Sequence, residues 1–226
     1  MNIVSIIIPV INEENTITKT LKILKLNKNI EVIVVDGGSQ DNTVQLVKDM
    51  GVKIIHSKQP GRAVQMNQGS LLATGNILLF LHSDTILPQD YYSLIINILS
   101  DLKVVGGAFE LKIDLPQFSL RLIEKLVNWR SHFLGLPYGD QAIFVRTSVF
   151  QEMGGFANLP IMEDFEFIQK LKKYGKIAIV PAKVITSGRR WQKLGVVKTT
   201  LINQGIILGY YLGVSPIILA RWYRRK

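Results

Sequence analysis

The chain of 226 residues reads as one α/β domain built on a mostly parallel central sheet with helices on both faces. Short β-branched runs alternate with helix-like stretches through the first half of the chain, the rhythm of successive βαβ units. A hydrophobic fraction of 47% against 19% charged residues supplies a sizeable core. The length suits a single well-buried domain with appendages and is short for two ordinary ones.

The strand-like runs are Val4–Val10, Glu31–Val35, Val52–His56 and Asn76–Leu81. Between and after them, Glu13–Leu26, Asp41–Met50, Gly61–Ala73 and Gln89–Leu99 have helical patterning. Beyond Leu99 the rhythm breaks into a strand-like Val104–Ile113, an amphipathic Phe118–Leu134, a loop at Gly135–Gln141 and a helix starting near Glu163. This divides residues 1–188 into a nucleotide-binding half, 1–100, and an acceptor half, 101–188. Residues 189–226 form a basic, amphipathic C-terminal segment. Phe118, Leu122, Leu126, Trp129 and Phe133 recur at helical spacing, which predicts packing in the core or under a lid, with membrane contact as the alternative.

Composition narrows the chemistry. The chain has no cysteine, which removes disulfides, thiolate metal sites and a cysteine nucleophile, and suits a reducing cytoplasm. The N-terminal apolar run is strand length and lacks the features of an export signal. Lys and Arg number 27 against 17 Asp and Glu, so the surface field favours anions. Much of that charge lies in Arg189, Arg190, Lys193, Lys198, Arg221, Arg224, Arg225 and Lys226. The apolar run Gly205–Ala220 falls short of the ~20 residues that cross a bilayer. With Tyr210, Tyr211, Trp222 and Tyr223 beside basic residues, it reads either as an in-plane segment on a membrane surface or as a helix packed on the domain.

In parallel sheets, ligands sit beyond the carboxyl ends of the strands. The first strand is followed by Asn12-Glu13-Glu14 and lacks a Gly-x-Gly-x-x-Gly turn, which disfavours a dinucleotide-binding oxidoreductase. Asp36 ends the second strand before Gly37-Gly38-Ser39, as an acceptor for a base or ribose or as a turn residue. Arg62, in Gly61-Arg62-Ala63, opens a helix where phosphate oxygens can be met. The fourth strand runs into His82-Ser83-Asp84, where Asp84 is placed to hold Mg2+ or Mn2+ against a diphosphate. His82 has three readings: a ligand to a softer metal, a donor to phosphate, or a packed strand-end histidine.

Downstream, Glu163-Asp164 opens an apolar helix, ordinary N-terminal chemistry taken alone. Beside the strand-end acids, Asp164 becomes a candidate general base for an acceptor hydroxyl, with Asp140 before Gln141 as its competitor. A nucleic-acid-binding module or a membrane-surface module without catalysis is the rival. It explains the charge but leaves the strand-end acids without a purpose, and nucleic acid is not expected as a partner.

Five segments in order, Pro9-Val10-Ile11-Asn12-Glu13-Glu14, Val35-Asp36-Gly37-Gly38-Ser39-Gln40-Asp41-Asn42-Thr43, His82-Ser83-Asp84, Gly154-Gly155-Phe156 and Glu163-Asp164, resemble the family 2 glycosyltransferases. The resemblance implies the GT-A nucleotide-sugar-binding fold and an inverting transfer from a nucleotide-sugar donor to a small or lipid-linked acceptor. It assigns Glu13 or Glu14 and Asp36 to the nucleoside, Arg62 to its vicinity, Asp84 to the metal and Asp164 to the base. The family usually has Asp-x-Asp where this chain has His82-Ser83-Asp84. Leu81-His82-Ser83-Asp84-Thr85, Pro137-Tyr138-Gly139-Asp140-Gln141 and Ser187-Gly188-Arg189-Arg190-Trp191 are similar to a small bacterial subgroup, some of whose members are named for arsenosugar or carotenoid glycosylation. Arg189, Arg190 and Trp191 also resemble a basic-aromatic motif placed at the acceptor or diphosphate in processive members, or else form a loop entering the tail. Glu163 and Gln141 complete the expected substrate-binding set.

Overall fold

The computed structural model describes residues 3–24 and 29–224. Lys25 and Leu26, at the end of the first expected helix, and Arg225 and Lys226 of the basic terminus lie outside the described residues. Strands β1 (Val4–Val10), β2 (Ile30–Asp36), β3 (Lys53–His56) and β4 (Ile77–Phe80) alternate with helices α1 (Ile17–Leu24), α2 (Thr43–Asp49) and α3 (Arg62–Leu71). There follow β5 (Thr85–Ile86), α4 (Tyr91–Ile98), β6 (Val104–Ile113), α5 (Phe118–Leu134), a 3-10 turn at Gly139–Gln141, β7 (Ile143–Arg146) and α6 (Thr147–Met153). The chain continues through α7 (Glu163–Leu171), β8 (Lys176–Thr186), α8 (Arg189–Leu194), α9 (Val196–Tyr211) and α10 (Pro216–Arg224).

One sheet runs in the order β3-β2-β1-β4-β7-β6-β8-β5. Its first four strands are parallel, as the βαβ rhythm predicts. The other half is mixed: β7 runs antiparallel to β4 and β6, β5 antiparallel to β8, and β6 parallel to β8. Every residue of β1 is buried, because helices cover both faces of the sheet. Ile6, Ile8, Leu21 and Tyr91 belong to the core on one face, and Ile7, Val35, Phe80 and Phe167 to the core on the other. Each such side chain contributes roughly 1.5–3 kcal/mol through burial.

The Gly154-Gly155-Phe156 segment positions the end of β4. Two left-handed glycines, at φ 76° each, end α6 and turn the chain back. Asn67 on α3 then clamps the backbone of Phe156, its Nδ2 donating to the carbonyl at 2.8 Å and its Oδ1 accepting the N–H at 2.9 Å. The Phe156 ring stacks on Phe167 at 4.3 Å and meets Phe80 edge-on at 4.8 Å. Phe80 is the last residue of β4, immediately before Leu81-His82.

Helix α5 has the predicted limits but the opposite orientation to the predicted one. Phe118, Leu122, Leu126, Trp129 and Phe133 are exposed, and neither core nor lid covers them. The physical reason lies on the other face. Past Gly107, β6 has no β7 partner, and side chains of α5 serve its open backbone edge. Asn128 donates to the Leu111 carbonyl and accepts its N–H, Glu124 accepts the Ile113 N–H at 2.5 Å, and Arg121 donates to the Ile113 carbonyl at 2.8 Å. The same inner face buries Leu120 and packs Ile123 and Val127 against Leu111 and Ile113, so facing the strand edge satisfies its backbone and buries apolar surface together.

The C-terminal helices pack against the domain. Ile206, Leu219 and Ala220 form a cluster with Ile161, Met162 and Phe165 at the start of α7. Among the described residues no helix is long and apolar enough to cross a membrane.

Candidate active site

At the carboxyl edge of β1 and β2, two loops latch together. Asn12, at φ 54°, donates its N–H to Ser39 Oγ and accepts the Gln40 N–H on Oδ1. The Glu14 carboxylate accepts from the Asn42 N–H and Nδ2 at 3.0 and 3.1 Å. Asp36 is buried and turns back on its own loop, accepting the N–H groups of Gly38 and Ser39 and contacting His56 Nδ1 at 3.2 Å. Burial alone would raise its carboxyl; hydrogen bonds from Ser39, Gly38 and His56 outweigh it and hold the group below the usual range.

Arg189, the first residue of α8, reaches into this edge. Its guanidinium forks onto Glu13 at 2.6 and 2.9 Å and touches Asp84 Oδ2 at 3.3 Å. Burial raises the Asp84 carboxyl above its ordinary value despite that cation. Among the described residues no three His, Cys, Asp or Glu side chains gather closely enough to hold a metal ion. The donors fit a hard cation of the Mg2+ or Mn2+ kind held by one carboxylate, Asp84, together with a substrate's own phosphate oxygens.

A second space, a cleft of about 250 Å³, opens on the other side of the β4 end. Arg62, His82, Tyr138, Asp140 and Asp164 line it, with Asn203, Ile206 and Ile207 from α9 and Tyr223 from α10. Thus His82 and Asp84 face different cavities, for Asp84 lines a smaller one with Thr16, Lys19 and Asp114. Burial, reinforced by Arg62, lowers the His82 imidazole to about 4, so the ring is neutral at pH 7.

The acids of this cleft are placed by strained backbone. Met162 takes a left-handed conformation, φ 67°, and starts α7 so that Glu163 and Asp164 fall in its first turn. Asp164 Oδ2 accepts the Gly139 N–H at 2.7 Å, and Oδ1 accepts the Phe165 N–H at 2.8 Å. Glu163 is buried and holds Arg62 Nε at 2.8 Å, leaving its Oε2 without a partner. Burial lifts the Asp140 carboxyl to about 6, Arg130 opposing and Asp164 adding to the effect, and its Oδ1 has no hydrogen-bond partner. Gly139 is tightly placed: a Cβ there would lie 3.1 Å from Asp164 Oδ2 and 3.2 Å from His82 Nε2.

The sequence signature of Glycosyl transferase family 2 matches residues 5–153. The chain belongs to that family. Among its relatives it is 33% identical over 171 residues to glycosyltransferase AglE of Haloferax volcanii, covering 69% of this chain and 56% of that protein. It is 24% identical over 210 residues to probable glycosyltransferase YdaM of Bacillus subtilis, covering 80% of this chain and 49% of that protein. The family fold is confirmed by glucosyl-3-phosphoglycerate synthase from Mycobacterium tuberculosis in complex with Mn2+, UDP and glucosyl-3-phosphoglycerate. That structure has a TM-score of 0.68 at 19% identity, covering 94% of this chain and 81% of its own. S. aureus TarS in complex with UDP-GlcNAc gives 0.64 at 20% identity, covering 83% and 58%. Both neighbours have the GT-A architecture, which this chain shares.

Within that family framework, the expected site residues divide. Asp164, Asp140, His82 and Arg62 share one cleft, with Glu163 behind Arg62; Glu13, Asp84 and Arg189 meet beside it. Gln141 is fully buried: its Oε1 accepts from Ser131 and the Tyr138 N–H, and its Nε2 donates to the Phe109 carbonyl, so it fixes the loop and does not face the cleft. The Arg190 guanidinium lies 3.7 Å over the Tyr223 ring, and Trp191 packs beside Leu120 of α5, both outside the cleft. Sequence reading missed Tyr138, under Arg130 at 3.5 Å, as well as Asn203 and Tyr223. Tyr138 lay within a quoted motif; Asn203 and Tyr223 gave no local signal, because tertiary packing alone brings them there.

Proposed function

We propose that this chain transfers a sugar, with inversion, from a nucleoside diphosphate sugar to an acceptor hydroxyl, and that Asp164 is the general base. The observation that carries the reading is the cleft in which Asp164 and Asp140 stand together, one strand end away from Asp84. UDP and UDP-GlcNAc in the neighbouring structures make a uridine diphosphate sugar the first donor to test. The chain spans about half the length of AglE and YdaM, so donor and acceptor are proposals for the protein as a whole.

In this scheme the acceptor hydroxyl gives its proton to the Asp164 carboxylate as its oxygen bonds to the anomeric carbon. The bond from that carbon to the diphosphate breaks on the opposite face, and the diphosphate leaves with the electron pair. The N–H groups of Gly139 and Phe165 hold the Asp164 carboxylate in a fixed position at the cleft. Neutral His82 donates or accepts a hydrogen bond beside it, and Arg62, held by Glu163, supplies positive charge at the cleft mouth. Arg189 is placed to move from Glu13 and Asp84 onto the arriving diphosphate. A divalent cation held by Asp84 would neutralise the leaving group when bound.

Asp140 is the second reading for the base, favoured by its unpartnered oxygen and its raised carboxyl. A thermal-shift screen of UDP-, GDP- and dTDP-sugars with and without Mg2+ and Mn2+ tests the donor, since a ligand of the folded state raises its apparent stability. No stabilisation by any nucleotide sugar, with either metal, rejects the proposal. The acceptor is proposed to be a small molecule or a lipid-linked hydroxyl, and the protein to work in the cytoplasm.

A further inference from the structure

We propose that the outward face of α5, together with the outward faces of α9 and α10, docks on the surface of an anionic lipid bilayer. The first support is the inversion of α5. Its polar residues are committed to the β6 backbone, so the stripe of Phe118, Leu122, Leu126, Trp129 and Phe133 has nowhere to turn except outward. The helix has 17 residues, about 25 Å at 1.5 Å per residue, and the exposed stripe runs along its length. Trp129 and Phe133 pack against each other at 5.5 Å and form an aromatic ridge on that surface.

The second support is charge. The one acid of α5, Glu124, is buried against the Ile113 N–H and Arg121, while Lys125 is exposed among the apolar residues. From Ser187 to Arg224 the chain has no acid, and Lys193, Lys198, Arg221 and Arg224 are exposed there, Arg189 being taken up by Glu13 and Asp84 and Arg190 by Tyr223. Leu201, Leu208, Ile217 and Trp222 are exposed on the same two C-terminal helices. Helix α5 adjoins their start through Leu120, Trp191 and Val196.

Apolar and aromatic side chains interleaved with cations, the acid Glu110 being paired with His132, match an anionic interface, where rings sit at headgroup depth and each cation gains from the surface potential. A second copy of this chain would instead bring two cationic faces together. No helix of the described residues spans a bilayer, so contact through these faces would be in-plane. The glycosyl-transfer reading carries no part of this proposal. Its structural link to the cleft is that the inner sides of α9 and α10 form one cleft wall.

The test is flotation of the intact chain with vesicles of phosphatidylcholine alone or mixed with phosphatidylglycerol, at low and at high salt. The expected result is co-flotation with the mixed vesicles, weakened by salt, and a roughly tenfold or greater loss for the double variant Leu122→Glu, Trp129→Glu. Circular dichroism and the melting temperature should be unchanged, because both side chains are outside the core. A second variant, Arg221→Gln with Arg224→Gln, should lose binding to the mixed vesicles in a salt-dependent manner. Failure of the folded wild-type chain to float overturns the proposal, as does flotation indifferent to both variants. So does light scattering that shows a dimer abolished by the Leu122 and Trp129 changes, which would assign the face to a second copy.

Discussion

Beside the ends of β1 and β2 the acids are engaged: Glu14 with Asn42, Asp36 with Gly38 and Ser39, Glu13 and Asp84 with Arg189. Across the Arg62–Glu163 pair, Asp140 Oδ1 and Glu163 Oε2 are covered yet have no hydrogen-bond partner. Buried acceptors are normally satisfied, and leaving one bare costs about 1–3 kcal/mol. The first region is thus a platform latched by its own hydrogen bonds. The second retains unmet hydrogen-bonding capacity, and of its two bare acids Asp140 is the one that lines the cleft.

The largest expected effect breaks the second region. Asp164→Asn should lower transfer at least ~100-fold while leaving donor titration unchanged, because it removes the proton acceptor alone. Full activity in that variant transfers the role to Asp140. Gly139→Ala comes next, with roughly tenfold lower kcat and little change in melting temperature. Its Cβ would meet Asp164 and His82, whereas its neighbours in the core are untouched.

The platform is probed through Arg189. Arg189→Ala frees Asp84 and Glu13, so Mn2+ titrated into the donor-free protein should bind a few-fold more tightly than to wild type. Weaker Mn2+ binding in the variant would show that Arg189 does not compete for Asp84.

The smallest expected effect is on stability. Asp140 is raised to about 6 when folded and is near 3.9 when unfolded, so between those values the folded state holds the extra proton. Its contribution is therefore favourable at low pH and is lost as pH rises through about 6. Asp140→Asn should raise the melting temperature by a few degrees at pH 7.5 and hardly at pH 4. If Asp140 rather than Asp164 is the base, the wild-type rate will also rise with pH through about 6, and the Asn variant will lose that limb.

The parallel half of the fold was legible in the sequence because its strands are short apolar runs, β1 and β4 buried along their whole length, that alternate regularly with helical segments. Strand β7, four residues like β3 and β4, falls outside the regular strand–helix alternation that marks those two, and β8 is interrupted by Pro181 where its register with β6 shifts. For α5, spacing identified the helix and its apolar face but not which way that face turns. That depended on an unpaired strand edge formed elsewhere. In the candidate site, position along the chain located the strand-end acids, whereas the direction of each carboxylate followed from neighbours in space. Asp36 illustrates the point: its place after β2 was readable, but its turn onto Gly38 and Ser39 depends on a glycine at φ 101°.

The family signature ends at residue 153, short of Asp164 and of the helices whose Asn203, Ile206 and Tyr223 close the cleft. Replacing α9 and α10 would change the shape that an incoming molecule meets, and with it the packing of Ile206 and Leu219 on Met162 and Phe165 just beside Asp164. Chimeras joined near Gly195, where the backbone already breaks between two helices at φ 80°, would recombine the two parts.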